Sequence, residues 1–433
     1  MTTTQLIAWH CEQLLAEDRL SGDPVLRDVV AQCRQPLRVL LVGDVSSGKS
    51  TLLNALIGHH LAAVAYQEMT SSVTWYHHPD LAETTFADPA HHSVAVDFPL
   101  ADRLVLGDTP GLNTTSDNPL ETGRLLGGAD LAGGASAYVY LVAGASAEVW
   151  VDQLTRLGAI SAGPLDLVGN IVLVTAKIDT VDDDLAAVEQ RARADAPTTI
   201  RFAAVNQRMA MAARTGAVDH RVATALSHLK RRPELLEPSR LSWEVLRDEA
   251  GLPSGHVAAL EECVGTPASL PNLVREATEL ISPADVVKLL ERFSRIRDLE
   301  AVLADLAEDT ELFTATATMH RLNRLAARRP EARSLVRLRL AQVTDSLEFT
   351  ALHRRAAARL LRHTDMASAL SHAERTDTVA LLIDGACHDA STLIASWEEL
   401  GGDPASDSQT RRVAALVIDL ARRFRPVERK RGA

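Results

Sequence analysis

The sequence predicts an α/β fold, a mainly parallel sheet with helices on both faces, followed by an extended all-helical part. Three observations predict it. Short apolar runs alternate with helical patterns between residues 37 and 206. Strand signals then stop near residue 210, and Ala/Leu/Arg/Glu-rich helix takes over, broken at Pro233, Pro253, Pro267, Pro283, Pro330, Pro404 and Pro426. Between the first apolar run and the helix after it stands Gly43-Asp44-Val45-Ser46-Ser47-Gly48-Lys49-Ser50, which fits G-x-x-x-x-G-K-[ST].

The elements follow in order. Residues 2–19 place Leu6, Ile7, Trp9, Leu14 and Leu15, followed by Leu20, at spacings compatible with an amphipathic helix. A helix of that length is marginal alone and needs a partner. Leu37–Val42 is an apolar strand, and Thr51–Ile57 is a helix with Gly58 as its stop. Further strands are predicted at 103–107, 138–142, 170–175 and 200–205, and Val73–Tyr76 with Val94–Phe98 as an added hairpin.

The loop at 43–50 carries phosphate chemistry. Its glycines let backbone N–H groups wrap an anion, and the following helix N-terminus adds partial positive charge. Gly43, Asp44, Val45, Ser47, Gly48 and Thr51 belong to that cradle. Lys49 is placed to reach β- and γ-phosphates, and the Ser50 hydroxyl to ligate Mg²⁺.

Asp108-Thr109-Pro110-Gly111 follows its strand directly and matches D-x-x-G. Asp108 is expected to hold Mg²⁺ through water, and the Gly111 N–H to sense the γ-phosphate. Ala176-Lys177-Ile178-Asp179 resembles the [NT]-K-x-D guanine signature with Ala first. The Asp179 carboxylate can accept from guanine N1 and N2, a donor pair that adenine lacks, so it selects GTP. The Lys177 stem would lie over the base. Asn206-Gln207 sits where such proteins place a base-contacting backbone loop. Thr70, before the Val73 strand, is the candidate switch residue that completes the Mg²⁺ shell, with Ser71, Ser72 and Thr74 as competitors. Leu112 stands where Ras-like enzymes carry a water-orienting Gln, so slow basal turnover is expected, rising with protein concentration or on a membrane.

Composition bounds the function classes. The 433 residues are 46% hydrophobic, 24% charged and 4% aromatic, enough for more than one domain with Ala, Leu and Val building the core. A net charge of −12 argues against nucleic acid as partner. Cys11, Cys33, Cys263 and Cys387 are scattered, which reads as free thiols in a reducing cytoplasm. No segment reads as a signal peptide or transmembrane helix, so membrane contact is expected to be peripheral. The pairs His59-His60, His77-His78 and His91-His92 read as loop and edge residues rather than metal ligands.

Residues 320–363 differ from the rest, with eleven arginines (Arg321, Arg324, Arg328, Arg329, Arg333, Arg337, Arg339, Arg354, Arg355, Arg359, Arg362) against Glu331, Asp345 and Glu348. One reading is a tip that touches an anionic membrane surface or an acidic partner. The other is a solvated helix face bridged to Asp298, Glu300, Asp305, Glu308, Asp309 and Glu311.

Taken together, the 43–51 loop, the Asp108–Gly111 turn and the long helical C-terminal half resemble the bacterial dynamin-like proteins, particularly the mycobacterial isoniazid-inducible type. The likeness runs through Glu68–His78 and Ala210–Arg214, returns weakly at Gly251–Pro253 and Leu289–Arg292, and fades after about residue 330. It implies a large P-loop GTPase domain over 36–305 and a helical neck or stalk built from both chain ends, 1–35 and 306–433. It implies GTP/GDP and Mg²⁺ as ligands, and assembly as a homodimer through the GTPase domain or a heteromer with a related GTPase. Ser46 matches the position that binds a charge-compensating monovalent cation, while Val45 departs from the Gln that helps order the catalytic water. Ser46, Lys49, Thr70 and Gly111 are thus the catalytic candidates. The implied activity is GTP hydrolysis coupled to self-association and peripheral membrane remodelling at the inner face of the cell membrane. A regulatory switch that recruits a protein without membrane work is the alternative. An Era-like ribosome-assembly GTPase would need a compact basic RNA-binding module that the sequence does not show.

Overall fold

The computed structural model describes residues 1–43, 47–61, 73–81, 92–108, 134–143, 169–176, 178, 201–237, 241–278, 280–363, 368–406 and 408–423. Two helices open the chain, α1 (Thr3–Leu15) and α2 (Pro24–Gln32). Thr2 starts α1 through a capping box: its hydroxyl accepts from the Gln5 N–H, while the Gln5 side chain accepts from the Thr2 N–H. Asp23 caps α2, with Pro24 in the first turn where its missing N–H costs nothing.

The sheet contains β1 (Leu37–Gly43), β2 (Thr74–His77), β3 (His92–Ala95), β4 (Leu104–Asp108), β5 (Ala137–Ala143), β6 (Ile171–Ala176) and β7 (Arg201–Val205). Their order is β3-β2-β4-β1-β5-β6-β7. Pairing is parallel except between β2 and β4. The expected hairpin is therefore corrected. The Val73–Tyr76 and Val94–Phe98 runs become β2 and β3, which lie parallel, and β2 finds its antiparallel neighbour in β4. A hairpin needs a tight reversal, whereas the long connection between His77 and His92 has the length of a crossover.

Alternation divides the core. Val39, Leu41, Leu104, Leu106, Val139, Leu141, Val172 and Val174 face one side, and Leu40, Val42, Val105, Tyr140, Ile171 and Leu173 the other. The first face joins a continuous apolar cluster that reaches from Leu6 in α1 to Leu420 near the C-terminus.

After β7 the described chain is helical. A group comprising α4 (Gln207–Arg214), α5 (His220–Lys230), α6 (Trp243–Glu249), α7 (Ser254–Val264), α8 (Leu270–Glu276) and α9 (Pro283–Ser294) encloses its own core around Val222, Leu226, Leu260 and Leu290. Then come α10 (Ile296–Ala307), α11 (Thr310–Arg328), α12 (Arg333–Thr344), α13 (Leu347–His363), α14 (His372–Asp384), α15 (Ala390–Gly402) and α16 (Ser408–Arg423). Pro283 sits in the first turn of α9, and Pro330 separates α11 from α12. Helix α1 packs against α2, α11 and α12, and the Thr3 N–H donates to Glu311 Oε1 at 2.8 Å. The partner it needed thus comes from the C-terminal half. Leu6, Ile7, Cys11 and Leu14 form its buried face, while Trp9 remains 46% exposed. No helix among the described residues is long and apolar enough to cross a membrane.

Candidate nucleotide site

Strand β1 is central, with β4 on one side and β5 on the other. The chain departs in opposite directions from this point, and in open α/β sheets the crevice at the carboxyl ends of such strands is where ligands bind. Gly43 ends β1 there, and Gly48 precedes α3 (Lys49–Ile57). Both glycines have positive φ, 155° and 93°. A Cβ on Gly43 would stand 2.7 Å from the Leu141 carbonyl oxygen, so this close approach of loop to β5 admits only glycine. Helix α3 stops at Gly58 with φ 78°, its N–H donating to Asn54 O at 2.8 Å.

Lys49 is buried, and its Nζ donates to Gly43 O at 2.6 Å, folding the ammonium back over the loop. Ser47 is buried too, and its Oγ has no hydrogen-bond partner among the described residues. Ser50 and Thr51, in the first turn of α3, are half-buried. Asp108 ends β4 in register with Leu41 of β1 and Thr74 of β2. Beside it Tyr76 is fully buried, and burial together with the Asp108 carboxylate pushes its phenol up to about 12. The Ser50 hydroxyl and the Asp108 carboxylate are hard oxygen donors on adjacent elements, a set suited to Mg²⁺.

Across the loop lies the head of α4. Asn206 caps it, with Oδ1 accepting from the Met209 N–H at 3.0 Å and its own N–H donating to Ser294 O at 3.1 Å. Gln207 is buried and its Nε2 donates to Ser47 O at 3.0 Å. Gly43, Ser47, Gly48, Lys49, Ser50, Thr51 and Asp108 are thus gathered at one end of the sheet, with Asn206 close by. Asp44, Val45, Ser46, Thr70, Gly111, Lys177 and Asp179 lie outside the described residues. The Gln207 side-chain contact was not legible in the sequence, since it joins residues 160 positions apart.

Of the histidine pairs, His77 is buried in β2 with Nδ1 2.9 Å from the His78 carbonyl oxygen, and His78 lies near Asp80 and Asp97.

The dynamin family model matches residues 39–85, the stretch that holds most of β1, the phosphate loop and α3. The isoniazid-induced protein IniC of Mycobacterium tuberculosis, in the CDC 1551 and H37Rv strains, is 46% identical over 48 residues. Over this stretch the chain is similar to bacterial dynamin-like proteins. The aligned stretch is 11% of this chain and 10% of IniC, so the chain spans about a tenth of the length of the curated relatives it matches. Among solved structures, the LeoA bacterial dynamin GTPase from ETEC aligns over 95% of this chain and 70% of that chain, with 13% identity and a TM-score of 0.27. A chain of an oligomerised bacterial dynamin pair aligns over 98% of this chain and 75% of that one, with 10% identity and a TM-score of 0.29. Both superpositions are loose. The family match covers the whole phosphate loop and the candidate switch residue Thr70.

The basic segment divides between arginines held in ion pairs within the chain and arginines exposed on its helices. Arg321 pairs with Asp28 at 2.7 Å, Arg329 with Asp23 at 3.2 Å, and Arg355 with Glu311 at 2.7 Å. Arg359 meets Asp305 at 2.6 Å and Asp309 at 3.2 Å, where Arg201 of β7 also binds both carboxylates. Arg333 donates to the carbonyls of Ala326 and Ala327 at the end of α11, and Arg337 is exposed on α12.

Proposed function

We propose that this chain is a guanine-nucleotide-binding enzyme that hydrolyses GTP to GDP and phosphate, slowly on its own, and passes its nucleotide state to self-association and peripheral membrane remodelling. The observation that carries the reading is the glycine-shaped loop between β1 and α3, at the point where strand order reverses, with Lys49 folded over it and Asp108 on the neighbouring strand end. Lys49 neutralises the terminal phosphates. Ser50, Asp108 and Thr70 would hold Mg²⁺, which when bound offsets phosphate charge. Gly111 reads the γ-phosphate, Lys177 and Asp179 hold the base, and Asn206 opens the loop beside it. Ser46 is assigned a monovalent cation.

Leu112 and Val45 both stand where a water-ordering Gln would help, which supports a need for a second molecule, either another copy or a related GTPase. The place of action is the cytoplasmic face of the cell membrane.

The deciding experiment measures binding of GDP, GTP and ADP with Mg²⁺, then GTP turnover against protein concentration with and without anionic vesicles. Guanine-selective binding, with specific activity that rises with concentration or on vesicles, is expected. No nucleotide binding would remove the reading, and a specific activity independent of concentration would remove the assembly step.

A second reading, a switch that recruits a protein partner without membrane work, is favoured by one observation. Arg321, Arg329, Arg355 and Arg359 are engaged in ion pairs within the chain, which thins the cationic surface a lipid headgroup would meet.

A further inference from the structure

We propose that Gln207 is a positioning residue for the phosphate loop, orienting the Ser47–Gly48 peptide so that its N–H serves a phosphate oxygen; this rests on the nucleotide reading above. Gln207 Nε2 holds the Ser47 carbonyl at 3.0 Å. A trans peptide is planar, with C=O and N–H on opposite edges. Fixing the Ser47 carbonyl toward α4 therefore fixes the Gly48 N–H away from it. Loop amides bind an anion well only when they are aimed before it arrives, because reorienting them at binding costs affinity.

Three further features point to the same role. Gln207 is 3% exposed, so water does not compete for its amide. Its base is rigid, because the Asn206 side chain caps α4 and the Asn206 N–H is tied to Ser294 O at 3.1 Å. A Cβ on Gly48 would stand 2.8 Å from Nε2, so the loop glycine and the glutamine fit one another. Gln207 thus acts on the phosphate end of the ligand, although its place in the sequence, directly after Asn206, suggests the base.

The test compares the full-length wild-type chain with Gln207→Met, which keeps the volume and removes the donor. Fluorescently labelled GDP and ADP are titrated in Mg²⁺, and the unfolding midpoint of each nucleotide-free protein is recorded. The GDP dissociation constant is expected to rise roughly five- to tenfold, the worth of one hydrogen bond, while the ratio of GDP to ADP affinity stays as in wild type and the unfolding midpoint falls only by the loss of one buried hydrogen bond. A residue that served only packing would move the midpoint and leave the GDP dissociation constant of the folded protein unchanged, and one that touched the base would collapse the GDP/ADP ratio; either result overturns the inference. So does wild-type affinity in Gln207→Met. If that variant does not fold, Gln207→Asn, which withdraws the donor by one methylene, carries the same expectations. A wild-type chain that bound neither nucleotide would overturn the nucleotide reading itself, and this inference with it.

Discussion

Arg38 at the start of β1 and Asp28 in α2 form a fully buried ion pair, Nη1 to Oδ1 at 3.0 Å. Arg321 of α11 reaches the other carboxylate oxygen at 2.7 Å and gives a second N–H to Gln32 Oε1, also at 2.7 Å. Gln32 in turn donates to Ser136 Oγ and Gly134 O beside β5. Burial alone would raise the Asp28 carboxyl, but the two guanidiniums outweigh it and hold it below the usual carboxylate range. One carboxylate therefore joins the N-terminal helices, the central strand and the C-terminal helical half. Asp28→Ala would leave two guanidiniums buried around an empty place and should destabilise the chain by about 3–5 kcal/mol, read by urea unfolding. A loss below about 1 kcal/mol would show that water repairs the site.

The sign of the pH dependence follows from histidines of α1 and of the C-terminal helices packed against it. Burial, reinforced by Arg339, lowers His10 below its ordinary value; burial alone lowers His353; burial and Arg324 lower His320. A histidine depressed in the fold binds protons more readily when unfolded. Its contribution is intact above the unfolded value near 6.5 and is lost as pH falls toward the folded value. The unfolding midpoint should drop between pH 7 and pH 5.5, and His10→Gln with His353→Gln should flatten that drop. An unchanged slope in the double variant would assign the acid sensitivity to other groups.

The strand–loop–helix unit around Gly43 and Gly48 was legible because its signals are local: an apolar run, glycines at fixed spacing, and Gly58 as the stop. The parallel order followed from alternation of strand and helix signals. The hairpin reading failed because the antiparallel neighbour of Trp75 is Gly107, a pairing that nothing near either residue announces. Trp9 was expected to lie on the apolar face of α1 with Leu6 and Leu14, but spacing does not say how much of a wide face the partner helices cover. Arg321 read as part of a basic surface because charge counts carry no information about burial, and Asp28 is far away in sequence. Gln207 was visible only as the neighbour of Asn206.

The phosphate loop yields a separate prediction. Lys49→Ala removes the cation folded over Gly43 O and should weaken GDP binding at least tenfold and abolish turnover. Asp108→Ala should instead raise the Mg²⁺ concentration needed for turnover and leave Mg²⁺-free GDP binding within about twofold of wild type. Asp179→Ala should lower the preference for GTP over ATP, because a guanine donor pair loses its acceptor. Titrations of nucleotide and of Mg²⁺ separate the three. Equal effects from all three substitutions would indicate general loss of the site rather than divided roles.

The arginines of 320–363 divide by geometry into two groups with different expected phenotypes. Arg355 and Arg359 neutralise Glu311, Asp305 and Asp309, so reversing them to Glu sets like charges together and should lower stability before any surface effect is felt. Arg333 and Arg337 are exposed on α12, on the same helix as Leu338, which is 54% exposed, and ahead of Leu347, which is 85% exposed at the start of α13. Basic side chains next to exposed apolar ones are what an anionic bilayer surface attracts, at about 1 kcal/mol for each charge near the surface. Arg337→Glu should therefore cut sedimentation with phosphatidylserine vesicles several-fold at 0.1 M salt, with little change in unfolding midpoint, whereas Arg333→Glu, which sets a carboxylate against the Ala326 and Ala327 carbonyls, should lower the midpoint as well. Neutral vesicles should bind neither protein, and high salt should release the wild type. If the wild-type chain does not sediment with anionic vesicles in any nucleotide state, this face does not meet a membrane, and the ion pairs of Arg321, Arg329, Arg355 and Arg359 leave part of the segment's charge with a role inside the fold.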